Sequence, residues 1–163
     1  MYDIDDIRTQ WARQRPDLDT APMALIGRLI RVSAVLSQQM AKTFERHGLS
    51  AASFDVLATL LRSGSPHALS PNQLLATMMV TSGTMTNRID QLVKDGLVAR
   101  VKNPADKRSV MISLTPKGKV VIDAAVTDHV QTQARLVRII DQGTQDGLNA
   151  GLQAYLDGID KLT

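Results

Sequence analysis

The chain has 163 residues, 44% of them hydrophobic and 21% charged, with no cysteine and a formal net charge of +3, enough for one domain with a real core. Without cysteine it can form no disulfide, thiolate zinc site or thiol-based redox sensor. No run approaches the roughly 18 apolar residues of a membrane span, and the acidic start "MYDIDDIRTQ" is unlike a signal peptide, so a cytoplasmic protein with no membrane partner is expected.

Ile4, Ile7 and Trp11 stripe a first helix. From Met23 to about His47, apolar residues Leu25, Ile26, Leu29, Val32, Leu36, Met40 and Phe44 recur at three- and four-residue steps, the period of one face of a long helix. Gly48 stops it, and Ser50 is placed to cap a second helix with Phe54, Leu57, Leu60 and Leu61 on one face. "GSPHAL" reads as a loop.

In "SPNQLLATMMV", Ser70, Pro71 and Gln73 make a capping box with proline at the first helical position. "TSGTMTNRIDQLVKDG" repeats the theme, with Thr81 or Ser82 as cap, Met85, Ile89 and Leu92 as the buried stripe and Gly96 as the stop. Two short helices joined by a tight turn form a helix-turn-helix. "LVARV" and "SVMISL" then alternate as two antiparallel strands around "KNPADKR". A helix runs on from Pro116, breaks near "DQGTQDG", and a last helix carries Leu148, Leu152, Tyr155, Leu156 and Ile159.

The fold class expected is mainly α with a small β-hairpin wing: a winged helix-turn-helix with long N- and C-terminal helices. Three regions follow: residues 1–48, N-terminal helices for dimerisation and a candidate ligand pocket; 49–115, the winged unit; and 116–163, C-terminal dimerisation helices. The apolar terminal helices are more than the central unit needs to bury, which suggests a homodimer; packing within one chain is the alternative.

Charge distribution points to a polyanionic partner, double-stranded DNA. From Lys94 to Lys119 seven Lys/Arg stand against two Asp, a local charge of +5. Opposite the buried stripe of the second short helix lie Ser82, Thr84, Thr86, Asn87 and Arg88, hydrogen-bonding groups that can reach base edges in a major groove. Arg108 and Lys107 at the wing tip suit a minor groove, and Arg100 and Lys102 suit phosphates. Asp106, an acid in a basic loop, is expected to orient Arg108 and cap the turn. A plain solvated surface is the bland alternative.

The stretch "LSPNQLLATMMVTSGTMTNRIDQLVKDGLVARVKNPADKRSVMISLTPKG", with "D-x-R" in the wing and "V-x-I-S-L-T-x-K-G" after it, resembles the core of the MarR family of winged-helix transcription factors. The resemblance implies a homodimer on a near-palindromic operator, with Ser82, Thr84, Thr86 and Asn87 in the major groove, Arg108 in the minor groove and Asp106 supporting it. The N-terminal "WARQRPDLDTAPMALIGRLIR" further resembles the first helix of the urate-responsive subgroup. There a tryptophan, an aspartate and an arginine surround an anionic purine; the matching positions are Trp11, Asp55 and Arg88. That implies a small anionic aromatic or purine ligand such as urate, which would release the regulator, expected to be a repressor, from DNA. The subgroup's further polar contact falls on no single residue: Arg62, Ser63 and His67 all lie near the helix end. Core packing for Trp11, a local salt bridge for Asp55 and a DNA contact alone for Arg88 stay open.

His47, His67 and His129 show no metal-ligand spacing, and no nucleophile and base constellation or phosphate loop is legible, so neither a cofactor nor an enzyme is expected. An architectural DNA-binding protein without effector, or a winged-helix adaptor for proteins, are the competing functions.

Overall fold

A computed structural model of the chain describes residues 3–78, 82–103, 106 and 108–161, with the side chains of 82–84 excepted. Two compact units divide it, residues 1–42 and 43–163.

The first unit holds α1 (Ile4–Gln14) and most of α2 (Ala21–Glu45). Asp3 caps α1 by accepting from the Asp5 amide. Arg28 of α2 donates to both Asp5 carboxylate oxygens at 2.8 and 2.9 Å, and Ile4 lies against Gly27. Thr20 and Ala24 are buried, whereas Leu25, Ile26, Ile30 and Val32 remain exposed. Much of the expected α2 stripe is therefore uncovered.

In the second unit, Ser50 caps α3 (Ala51–Arg62), its hydroxyl accepting from the Ser53 amide at 3.1 Å. Ser70 and Gln73 form the expected capping box of α4 (Pro71–Met78), with bonds of 2.8 and 3.3 Å. The start of α5 (Ser82–Lys94) follows Thr81, so the expected Thr81 or Ser82 cap lies outside the described residues. Gly96, at φ +70°, ends α5 in the left-handed conformation that glycine adopts without strain. Val56, Leu57, Leu60, Leu74, Met85, Leu92, Ile112 and Ile122 make a closed core with Phe44 and Phe54, whose rings stack 4.1 Å apart.

Strands β2 (Val98–Lys102) and β3 (Val110–Leu114) pair antiparallel, Val98 opposite Leu114 and Lys102 opposite Val110. The segment read as a plain loop supplies a third strand, β1 (Ala68–Leu69), which pairs with the other edge of β3. His67, at φ +57°, precedes it and accepts the Leu114 amide.

Helix α6 (Pro116–Val137) is capped by Thr115 and packs on α3. Its first turn lies close to the corner between α5 and β2: a Cβ added to Gly118 would stand 1.9 Å from the Leu97 carbonyl oxygen. Thr115 Oγ1 donates toward the Gly96 and Leu97 carbonyls, and Lys117 Nζ donates to the Asp95 carbonyl at 2.8 Å. Buried Thr43 and Thr132 satisfy each other through a 2.9 Å bond. The last helix, α7 (Gln142–Ile159), starts earlier than expected. Asp141 caps it by accepting from the Thr144 amide and hydroxyl, so most of the glycine-containing run read as a break is helical.

No described helix is long and apolar enough to cross a membrane.

Candidate nucleic-acid interface and polar cleft

Helix α5 sorts its side chains by period. Met85, Ile89 and Leu92 turn into the core, Thr86 and Asn87 are exposed, and Arg88 is half-buried. The Ser82 and Thr84 side chains, expected beside them, lie outside the described residues, as does Lys107 in the wing. Asp90 stands exposed one turn beyond Thr86 and accepts from the Arg100 guanidinium at 2.6 Å. Arg100, expected to meet phosphate, is exposed, and its pair with this acid ties β2 to α5. Thr86 and Arg100 also border a cleft of about 330 Å³ among α4, α5 and the sheet.

The wing is built around Asp106. Its carboxylate accepts from the Arg108 backbone N–H at 3.0 Å, and its carbonyl accepts from both the Ser109 amide and hydroxyl. Asn103 Nδ2 donates to Ser109 Oγ at 3.0 Å across the turn. Asp106 therefore shapes the backbone that presents Arg108 and does not bond the guanidinium as expected, because an Asx-type turn places the carboxylate over the amide two residues on. Arg108 and Lys102 are both exposed.

On α3, Asp55, Thr59 and Arg62 follow at steps of four and three, which puts them on one helix face. They line a second cleft of about 330 Å³, with Phe54, Ala58 and two residues of the last turn of α4, Thr77 and Met78. Asp55 still meets solvent, yet partial burial raises its carboxyl above the usual carboxylate range, opposed by the charges of Arg88, Arg62 and His129. Asp55 and Arg88 are thus brought within electrostatic reach, without a direct ion pair. Trp11 lies on α1 in the first unit, partly exposed.

Of the three residues near the end of α3, Ser63 Oγ donates to the Leu60 carbonyl and His67 Nδ1 lies 3.1 Å from the Leu61 carbonyl. Arg62 is the one that faces the cleft. The i, i+4, i+7 spacing from Asp55 was the available signal, obscured by reading Arg62 only as a helix end. His129 packs against the rings of Phe44 and Phe54 with Nδ1 buried and without a hydrogen-bond partner among the described residues. Burial lowers its pKa and the charge of Asp55 raises it, the first prevailing. Among the described residues no group of three or more His, Asp or Glu is placed to hold a metal ion.

The MarR family model matches residues 47–109. The chain is 38% identical to the HTH-type transcriptional regulator PecS of Dickeya dadantii (strain 3937), covering 91% of this chain and 89% of that protein. It is 32% identical to the HTH-type transcriptional repressor YetL of Bacillus subtilis (strain 168), over 74% and 72% of the two chains. Among solved structures, a mutant of MarR from E. coli complexed with operator DNA superposes with a TM-score of 0.71, at 25% identity, covering 84% of this chain and 97% of that one. With its helix-turn-helix, three-stranded wing and near full-length relatives, the chain belongs to the MarR family of DNA-binding transcription regulators, a family of regulators and not of enzymes.

Proposed function

We propose that the protein works as a homodimeric repressor on a near-palindromic operator and is released by a small planar anion of the urate type. The observation that carries the DNA half is the division of α5 between the buried Met85, Ile89 and Leu92 and the polar Thr86, Asn87 and Arg88, in a stretch of sequence, 81–89, that holds no acid, beside a wing that exposes Arg108 and Lys102. In this reading Ser82, Thr84, Thr86, Asn87 and Arg88 meet base edges, Lys107 and Arg108 enter the flanking minor groove, and Arg100 and Lys102 meet phosphate. The exposed pair of Arg100 with Asp90 also ties the strand to the helix. The relative named a repressor supports repression as the sense of control.

The regions keep their assigned work: 49–115 reads DNA, while 1–48 and 116–163 pair the protomers. The uncovered residues Leu148, Leu152, Tyr155 and Leu156 of α7 support that pairing. For the ligand, the polar cleft with Asp55 and the nearby Arg88 support an anion site, and Trp11 joins them on sequence resemblance alone.

Operator binding measured against salt tests the first half. Affinity should fall steeply and log-linearly with salt, and Arg108→Ala should reduce the slope by about one released counterion while weakening A·T-flanked sites most. A salt-insensitive interaction would instead indicate a protein-binding adaptor. For the second half, emission of the single tryptophan should change on urate addition, and urate should release the operator. An architectural protein would show neither response.

A further inference from the structure

The sequence of α5 holds one acid, Asp90, and it belongs to the exposed face of the helix: it follows Thr86 by one turn, with its side chain 54% exposed. A carboxylate there repels the phosphates that this side of the molecule is read as meeting. Its partner comes from the strand. Arg100 Nη2 donates to Asp90 Oδ1 at 2.6 Å, and neither side chain has another partner among the described residues. The second carboxylate oxygen and most of the five guanidinium donors are therefore uncommitted. Arg100 and Lys102 stand two apart on β2, which places them on one face of the strand.

The fold has little use for this pair. Ion pairs so exposed add little to stability, and helix and sheet already meet through the buried Met85, Ile89 and Ile112. What the acid alters is the arginine. A lone arginine on a DNA-facing surface takes whatever phosphate comes within reach, in any register, and so raises affinity without regard to sequence. Beside Asp90 its charge is largely cancelled at a distance. A phosphate then gains only by arriving along the guanidinium edge that the carboxylate leaves free, which requires the helix to be seated in one position on the duplex.

We propose that Asp90 is a specificity-determining residue that acts through Arg100: it screens the guanidinium from the phosphates of misplaced DNA and holds it for the one met when α5 sits in register. The proposal rests on the DNA reading above and adds to it a residue whose work is to weaken wrong complexes. Asp90 need touch no base to do so.

Fluorescence anisotropy titrations of the full-length protein over a range of salt test this with two labelled duplexes of equal length. One is selected from a random pool by the unmodified protein, and the other is that sequence scrambled. Asp90→Asn, which removes the charge and keeps the shape, should tighten the scrambled duplex about three- to tenfold and steepen its salt dependence by about one counterion. The selected duplex should tighten by less than about twofold, so that the ratio of the two affinities falls. In the Arg100→Gln background the same change should bring less than about twofold on either duplex, and Asp90→Glu alone should keep the original ratio. A purely structural tie would instead weaken both duplexes when cut. A scrambled duplex bound no more tightly, equal changes on both duplexes, or a full gain in the absence of Arg100 overturns the proposal alone. If the unmodified protein selects no duplex from the pool, the DNA reading falls with it.

Discussion

The winged unit and the last helix use apolar residues in opposite ways. In the winged unit Leu57, Leu60, Leu74, Met85, Leu92 and Ile112 are wholly removed from solvent, each stabilising the fold by about 1.5–3 kcal/mol. In α7 no residue is buried, and Leu148, Leu152, Tyr155, Leu156 and Ile159 are 38–55% exposed. A patch of that kind gains little until something covers it. The contrast separates residues that make the fold from residues the fold leaves uncovered, which the proposed pairing would bury, although both look like amphipathic helix stripes in the sequence.

The sharpest way to break this contrast is to cut each side in turn. Leu57→Ala should destabilise the protein by about 2–5 kcal/mol through transfer and cavity terms, read as a lower denaturation midpoint at any protein concentration. Leu152→Glu combined with Leu156→Glu should weaken self-association by on the order of 100-fold, seen by sedimentation, and should leave the unfolding of the dilute chain nearly unchanged. Equal effects of the two variants on dilute-chain stability would erase the distinction. Asp106→Ala, which removes one turn-forming acceptor, should cost about 0.5–1.5 kcal/mol locally and show in amide exchange at Arg108 and Ser109 more than in global melting.

The smallest expected effect lies in acid titration. His129 has a folded pKa below that of the unfolded chain, near 6.5, so below about pH 6.5 the unfolded state takes up protons that the folded state refuses. Its contribution is full above that pH and is lost as pH falls toward the folded value. Asp55 has the opposite sign: its raised carboxyl favours the folded state below its ordinary value of 3.8, and that contribution is lost as pH rises through the folded value. His129→Asn should therefore flatten the stability loss between pH 6.5 and lower values, measured as denaturant midpoint against pH; an unchanged slope would assign that loss elsewhere.

Much of the fold could be read because its helix ends are written in local chemistry. Ser50, Ser70 with Gln73, and Gly96 act within a few residues of themselves, so the sequence alone locates them. The parts that escaped depend on distant partners. Strand β1 is two residues long and exists through its pairing with β3, and the start of α7 hides behind glycines that the Asp141 cap overrides. Arg100 was legible as a cation but not as the partner of Asp90, because that pair joins a helix to a strand. Asp106 was legible as a turn residue, whereas which atom it would bond depended on the wing's backbone.

Gly118 carries a consequence of a mechanical kind. With Thr115 and Lys117 bound to the carbonyls of the α5–β2 corner and no room at Gly118 for even a methyl group, the first turn of α6 is riveted to the end of α5. The 22 residues of α6 make a lever about 33 Å long with its fulcrum at that corner. A tilt of about 5° there sweeps the far end through about 3 Å, and the gearing runs both ways. In a two-fold pair, a slight swing of α6 would re-aim α5 and the wing as one rigid piece, changing the reach between half-sites without unfolding either.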